Sequence, residues 1–352
     1  MPPSSLDQLL ELADSAFELV RKGSLEEGAE VIDAIRKRVS IENIPQLAVD
    51  VFFVEATIAA YKNNWSAAND RLMRSLAICN ARNDFSRTLR SQAWLSFVQF
   101  NSDFLLDSAK TAATVLADKR LVDPATRFRA AVVLASLAQY SDMGELANKW
   151  FSIARRSADL ARDRSLTSVA IFNSVLTRVA AERFNRHIMI SARDDLDLAL
   201  MFANSAESFD SYGGISLNAP FHALVKSHIR VLQGDYAGAL EIINPLLSEK
   251  SLGEDNIASL HIERLDCLVK ASPSGVSRDY ILEVQSLIPS LSGDDEIAIA
   301  LSVLADSFGL VGLIDQSIEC REASTDASRR FIDLRSSLAN EVRNCDELIE
   351  LA

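Results

Sequence analysis

The sequence predicts an all-α protein in which helices are paired and the pairs repeat along the chain. Three observations support this fold class. Glycine and proline are scarce, with 12 and 8 residues among 352, which favours helices joined by short turns. No segment shows the alternation of apolar and polar residues that is typical of a half-buried strand. Amphipathic segments with helical spacing recur instead, about every 40 residues.

Each repeat contains an anchor, a bulky apolar residue that follows a turn and starts a second helix. The anchors are Leu25, Trp65, Phe104, Leu146, Tyr236, Tyr280 and Ile314. The gap between Leu146 and Tyr236 leaves room for one further unit near Ile190. The sequence therefore predicts about eight units, each a helix, a short turn and a second helix.

A small residue stands three positions after several anchors. These residues are Gly28, Ala68, Ala239 and Ser317. At that spacing the anchor and the small residue lie on the same face of the second helix. A small side chain there lets the two helices of a pair approach closely, so we expect these positions to be buried between them.

The turn and second helix resemble the tetratricopeptide repeat (TPR) family, in which a small or polar residue, an aromatic residue and an alanine follow in order. Gly234, Asp235, Tyr236 and Ala239 match this pattern, and Asn64, Trp65 and Ala68 match it in part. The resemblance implies a TPR-like α-solenoid, a right-handed superhelix of about eight helix pairs, whose first helices line a concave groove. The period of about 40 exceeds the usual 34 of the family, and HEAT-type arrays remain an alternative for some units.

Composition and charge exclude several classes of partner. The formal charge of -13 and the absence of a basic stripe argue against nucleic acid, because phosphate backbones are bound by clustered lysine and arginine. No apolar stretch is long enough for a transmembrane helix. The four cysteines show no metal or redox spacing, and the first residues do not form a secretory signal, so we expect a soluble, cytoplasmic protein.

The chain from Ile314 to Ala352 contains no glycine or proline and predicts one long C-terminal helix. We expect the repeat array to occupy residues 1–327 and a connector or dimerisation helix to occupy residues 328–352. A narrow apolar seam with a spacing of about 3.5 residues supports this division. The seam consists of Phe331, Leu334, Leu338, Val342, Cys345 and Leu348. The helix then either caps the array or pairs with a second copy or a further domain.

A second resemblance concerns this last segment. The ending RSSLANEVRNCDELIELA is similar to the helix that joins an N-terminal TPR-like sensory array to the catalytic GGDEF domain of bacterial diguanylate cyclases. None of the motifs of that catalytic domain is present in the sequence. The resemblance implies that the chain is a sensory region and that any cyclase activity resides in residues downstream of it.

The sequence offers no constellation for catalysis, so we expect no enzyme activity, no cofactor and no metal site. The histidines are few, and His222 and His228 are spaced so that they lie far apart around a helix, which suits no shared metal ion. The candidate ligand contacts are instead polar residues within the apolar faces of first helices: Arg90, Asn173, Arg178, His222 and Lys226. Trp94, close to Arg90, is expected to belong to the core.

The leading hypothesis is a non-catalytic regulatory module that binds a protein, a peptide or a small molecule in the concave groove and transmits occupancy through the C-terminal helix. One alternative is a stand-alone interaction scaffold that forms a homodimer through that helix. Another is a peptide-responsive regulator of the kind built on TPR-like arrays in Gram-positive bacteria, although the first two segments show no basic recognition helix.

Overall fold

The computed structural model describes residues 5–41, 44–189, 196–213, 218–249 and 251–352. Within these residues the chain forms sixteen α-helices and no strand. The helices are α1 (Leu6–Arg21), α2 (Leu25–Arg38), α3 (Pro45–Tyr61), α4 (Trp65–Arg82), α5 (Phe85–Phe100), α6 (Leu105–Ala117), α7 (Pro124–Tyr140), α8 (Gly144–Ala161), α9 (Arg164–Phe184), α10 (Leu196–Gly213), α11 (Ala219–Gln233), α12 (Tyr236–Leu246), α13 (Glu254–Ala271), α14 (Arg278–Gln285), α15 (Asp294–Leu310) and α16 (Ile314–Leu351).

Consecutive helices form eight pairs, which confirms the predicted TPR-like α-solenoid, a right-handed superhelix of helix pairs. The first helices of successive pairs, α1, α3, α5 and so on to α15, stack on one another in sequence order. We call the surface formed by these first helices the inner groove. The predicted anchors lie at or within two residues of the start of a second helix, and the unit expected near Ile190 has its anchor outside the described residues.

The turn inside a pair has the same geometry in six units. A residue with positive φ lies two positions before the second helix begins: Gly23, Asn63, Asp103, Asp142, Gly234 and Gly312. The amide N–H of the next residue donates to a carbonyl five residues earlier, with N–O distances of 2.9 to 3.0 Å. This is the Schellman arrangement, which favours glycine, asparagine and aspartate because these residues adopt positive φ more readily than others.

The small residues three positions after the anchors are buried between paired helices. Gly28 shows how close the packing is, since a Cβ built there would lie 2.5 Å from Val20 Cγ2 and 3.1 Å from the Ala16 carbonyl oxygen. Ala68 and Ala239 are fully buried. The predicted role of these positions in close helix approach is therefore confirmed.

The array curves until distant pairs touch. Arg21 at the end of α1 forms an ion pair with Asp163, the residue that precedes α9, and donates to Ser165 Oγ at 3.2 Å. Asn63, in the turn between α3 and α4, donates to the Ser251 carbonyl at 3.5 Å. The first pairs therefore lie against later ones, as in a tightly wound superhelix.

The long C-terminal helix, α16, runs unbroken for 38 residues, as the sequence predicts. Its first part pairs with α15, and its second part packs along α6 and α7. Leu338, Val342 and Cys345 join the core that α5 to α9 form, and Lys149 of α8 pairs with Asp346 and with Glu350, at 2.7 Å each. The structure shows no break between residues 327 and 328, because both lie inside this helix.

In the part of the chain that the structure describes, no helix is both long and apolar enough to cross a lipid bilayer.

Candidate functional site

The inner groove of the second half of the array contains charged side chains that are buried. We call this site the charged pocket and define it by Arg183 of α9, His228 of α11, Glu263 and Ser259 of α13, and Glu296 of α15. All of them except Glu263 border a cavity of about 120 Å³ that Asp255, Asn256 and Ser292 also line. Arg183, His228 and Glu263 are only 4, 5 and 3% exposed. Buried charge is costly, so this arrangement is unusual for a helix face.

Arg183 lies at the centre of the charged pocket. Its guanidinium forms ion pairs with Glu296 and, at 3.3 Å from Nε, with Glu263, and its Nη2 donates to Ser259 Oγ at 3.2 Å. Ser259 in turn donates to Glu296 Oε2 at 3.0 Å. Because these residues come from three first helices, the network ties α9, α13 and α15 together across the inner groove.

The two glutamates are held ionised. Burial alone raises the pKa of Glu263, but the charges of His228 and Arg183 outweigh it and hold that pKa below its ordinary value. The same balance of burial against Arg183 and His228 lowers the pKa of Glu296. His228 Nδ1 hydrogen-bonds to Glu263 Oε1, and Ser227 Oγ donates to Oε2 at 3.4 Å.

The mouth of the charged pocket is acidic. Asp255 hydrogen-bonds to Asn256 and, at 3.4 Å, to Ser292, and no cation of the described residues pairs with it. Desolvation and the nearby carboxylates of Asp255 and Asp294 raise the pKa of Asp103, which lies in the turn between α5 and α6. The pocket therefore contains three carboxylates, those of Asp255 and the two glutamates, but only one guanidinium and one imidazole among its described residues.

The described residues hold no group of three or more histidine, cysteine, aspartate or glutamate side chains that fits a metal ion. The four cysteines are free and buried. Burial raises the pKa of the Cys79 thiol to about 11 and that of Cys267 and of Cys345 to about 12. These three thiols are therefore protonated at neutral pH and poor nucleophiles.

Aromatic rings cluster on the first helices of the first half of the array. We call this set the aromatic cluster: Phe17 of α1, Phe53 and Tyr61 of α3, and Trp94 and Phe97 of α5. Trp94 lies at its centre, with ring centroids 6.3, 6.0, 6.1 and 5.8 Å from those of the other four in that order. Trp94 is 6% exposed and packs in the core, as expected.

The five ligand contacts predicted from the sequence do not line the charged pocket, and the structure does not bring them together. Arg90 Nη2 donates to Asp50 Oδ1 at 2.6 Å, and its guanidinium lies 4.1 Å from the Phe53 ring centroid. Asn173 donates to the Val169 carbonyl at 2.8 Å, one turn earlier in α9.

The other three predicted contacts lie near α10. His222 is buried, with Nε2 2.8 Å from Asp210 Oδ2, and Lys226 pairs with Glu207, so both attach α11 to α10. Arg178 lines a cleft of about 160 Å³ between α8, α9 and α10, together with Arg155 and Phe202.

Most residues of the predicted seam of the C-terminal helix pack against other helices of the same chain. Phe331 is 2% exposed, and Leu338 and Val342 are fully buried against the array. Leu334 packs on the same core, whereas Leu348 is 52% exposed. Pairing with a second copy through the buried seam residues would require α16 to leave α6 and α7.

The residues of the charged pocket were not predicted from the sequence. One signal was present in α13, where Ser259, Glu263 and Asp266 form a polar stripe at helical spacing beside the apolar stripe of the same helix. A polar stripe of this kind is ordinarily solvated. Only the long-range approach of Arg183 and His228 shows that this one faces the inner groove.

The arrangement of helices is similar to that of a Rap protein crystallised in complex with competence and sporulation factor. The TM-score is 0.60 over 95% of this chain and 99% of that chain, at 13% sequence identity. At this identity the similarity shows a shared fold. No protein-family model matches the sequence, and no curated protein matches it.

Proposed function

We propose that this chain is a non-catalytic regulatory module that binds a segment of peptide or protein in its inner groove. The observation that carries the proposal is the charged pocket. Buried charges cost free energy and a helical scaffold does not need them for stability. Their position on the groove surface beside a cavity is typical of a recognition site. The similarity in fold to a Rap protein in complex with a factor supports the same choice.

The charge of the pocket indicates the chemistry of the bound segment. Within the described part of the chain Asp255 has no cation partner, and the carboxylates of the pocket outnumber Arg183 and His228. A positively charged group of the ligand would balance this charge and form charge-assisted hydrogen bonds. The ligand group proposed here is therefore a lysine or arginine side chain, or a free amino terminus.

The charged pocket is connected to α16 through α15, and this connection supports a regulatory role. A ligand at the charged pocket touches α9, α13 and α15, and α15 is the partner of α16. A change in the spacing of these helices therefore shifts α16 against α6 and α7. The four free, buried thiols support a cytoplasmic location.

A second candidate is the sensory region of a bacterial signalling protein such as a diguanylate cyclase. The unbroken 38-residue α16 favours it, because such a helix suits the transfer of a conformational change to a following domain. In that case the ligand site is the same and α16 is the output element.

The proposal is tested with labelled hexapeptide pools that differ only in net charge. We expect the cationic pool to bind and the anionic pool not to bind, as measured by fluorescence anisotropy. Asp255→Asn and Glu296→Gln should weaken binding about tenfold or more, since each removes one charge-assisted contact. Asp107→Asn is the matched control, because Asp107 also lies in the first turn of a helix, α6, and is exposed. Equal binding by both pools, or no effect of the two pocket variants, would contradict the proposal.

A further inference from the structure

Arg129 of α7 is a cation that has no anionic partner among the residues that the structure describes. Its guanidinium lies over the ring of Trp94, 4.2 Å from the centroid, and 5.0 Å from that of Phe97. The side chain is half-buried in the inner groove of the first half of the array. No carboxylate of the described residues is within ion-pair distance of it.

Several other arginines of the first helices are paired with carboxylates. Arg21 pairs with Asp163, both Arg87 and Arg90 pair with Asp50, and Arg183 pairs with two glutamates. The chain carries 49 acidic residues against 36 basic ones, so acidic residues are not scarce. Half-buried charges are ordinarily compensated, so Arg129, which has no carboxylate partner among the described residues, can take an anionic partner from outside the chain.

The hydrogen bonds of Arg129 leave room for such a partner. The guanidinium has five N–H donors, and the Tyr61 hydroxyl lies close enough to favour the charged form of Arg129. The Tyr61 hydroxyl can donate its proton to an acceptor bound beside Arg129. Burial lowers the pKa of Arg129, and the nearby charge of Arg21 acts in the same direction. An anion bound next to Arg129 would stabilise the charge of the guanidinium in this partly buried position.

We propose that Arg129 and Tyr61 form a carboxylate-binding site beside the rings of Trp94 and Phe97. The guanidinium binds a carboxylate through two parallel N–H donors, and the Tyr61 hydroxyl donates to one of its oxygens. The partly exposed ring of Phe97 contacts the apolar atoms next to that carboxylate. The site lies on α3, α5 and α7 and shares no residue with the charged pocket, so the two are tested separately.

The carboxylate has two sources in a peptide, the C-terminus and an acidic side chain. N-acetyl-L-phenylalanine carries the first, N-acetyl-L-glutamic acid α-amide carries the second, and N-acetyl-L-phenylalanine amide carries neither. The measurement is a titration of the Trp94 indole N–H signal by NMR, assigned with Trp65→Phe and Trp150→Phe. We expect a saturable shift with one of the two carboxylates and none with the neutral amide.

Arg129→Gln should abolish the shift or weaken the binding at least about tenfold, since it removes the charge. Tyr61→Phe keeps the ring and should weaken the binding several-fold, which tests the site even if Arg129→Gln does not fold. Arg155→Gln is the matched control, because Arg155 is an exposed arginine outside the aromatic cluster. A shift of equal size with the amide, a shift that survives Arg129→Gln and Tyr61→Phe, a shift with inorganic phosphate only, or no shift with any probe would overturn the proposal.

Discussion

Phe331 of α16 packs edge-on against Tyr140 of α7, with ring centroids 5.2 Å apart. The same ring lies 4.5 Å from that of Phe184 at the end of α9. These contacts join the last helix to the middle of the array. The second part of α16 is therefore a component of the solenoid core, and two stability predictions follow from its position.

Phe331→Ala should destabilise the protein by about 3 to 5 kcal/mol, because it removes a buried ring from between two aromatic partners and leaves a cavity. Chemical denaturation monitored by circular dichroism measures this change. Ile332→Ala is the control, because Ile332 is the next residue and is 40% exposed. Equal effects of the two variants would show that Phe331 is not packed against the array.

Leu338→Ala should cost about 2 to 5 kcal/mol, because Leu338 is fully buried in the core between α6 and α7. The oligomeric state of the Leu338→Ala variant, measured by sedimentation velocity, should equal that of the unaltered chain. Leu348→Ala, at a position that is 52% exposed, should change the stability little. A Leu338→Ala variant that dissociates from dimer to monomer without loss of stability would identify the seam as a contact between copies.

Gly28→Ala should destabilise the first helix pair by about 1 to 3 kcal/mol, because the added methyl group meets Val20 and the Ala16 carbonyl at overpacked distances. The free energy of unfolding measures the effect. Gly144→Ala is the matched control, since a Cβ at Gly144 meets nothing within 4 Å and alanine favours the helix. We expect this control to be neutral or slightly stabilising, and the same result at Gly28 would rule out close approach of α1 and α2.

The helix pairs were predictable because their signal is local. An anchor such as Trp65, a small residue such as Ala68 and a turn residue such as Asn63 all act within one unit. The route of α16 was not predictable, because an apolar seam such as that of Leu338 and Val342 has the same spacing whether its partner is another chain or α6. The ion pairs of Arg183 could not be predicted for a related reason, because they join helices that are far apart in sequence.

Asp295 makes the stability depend on pH. Burial raises its pKa to about 7 from an ordinary value of 3.8, the charge of Glu296 adds to this effect, and a hydrogen bond with Tyr140 opposes it. The folded state therefore holds the proton more tightly than the unfolded state. The contribution of Asp295 to stability is full below about pH 4 and is lost as the pH rises to about 7.

Asp295→Asn mimics the protonated carboxyl and should remove the loss of stability that accompanies ionisation of Asp295. Between pH 4 and 7 its stability relative to the unaltered chain should rise, by an amount on the order of a few kcal/mol. Denaturation at several pH values checks this. Asp294→Asn is the control, since Asp294 is more exposed and pairs with Arg330. A stability difference between Asp295→Asn and the unaltered chain that does not change with pH would contradict a raised pKa at Asp295.

The most direct measurement of groove binding is a crystal structure of the chain with the tightest-binding peptide of the cationic pool. We expect the peptide to lie in the inner groove with its positively charged group next to Asp255 and Glu296. Density for the peptide on the outer surface of the second helices, with the charged pocket unchanged, would contradict the proposed function.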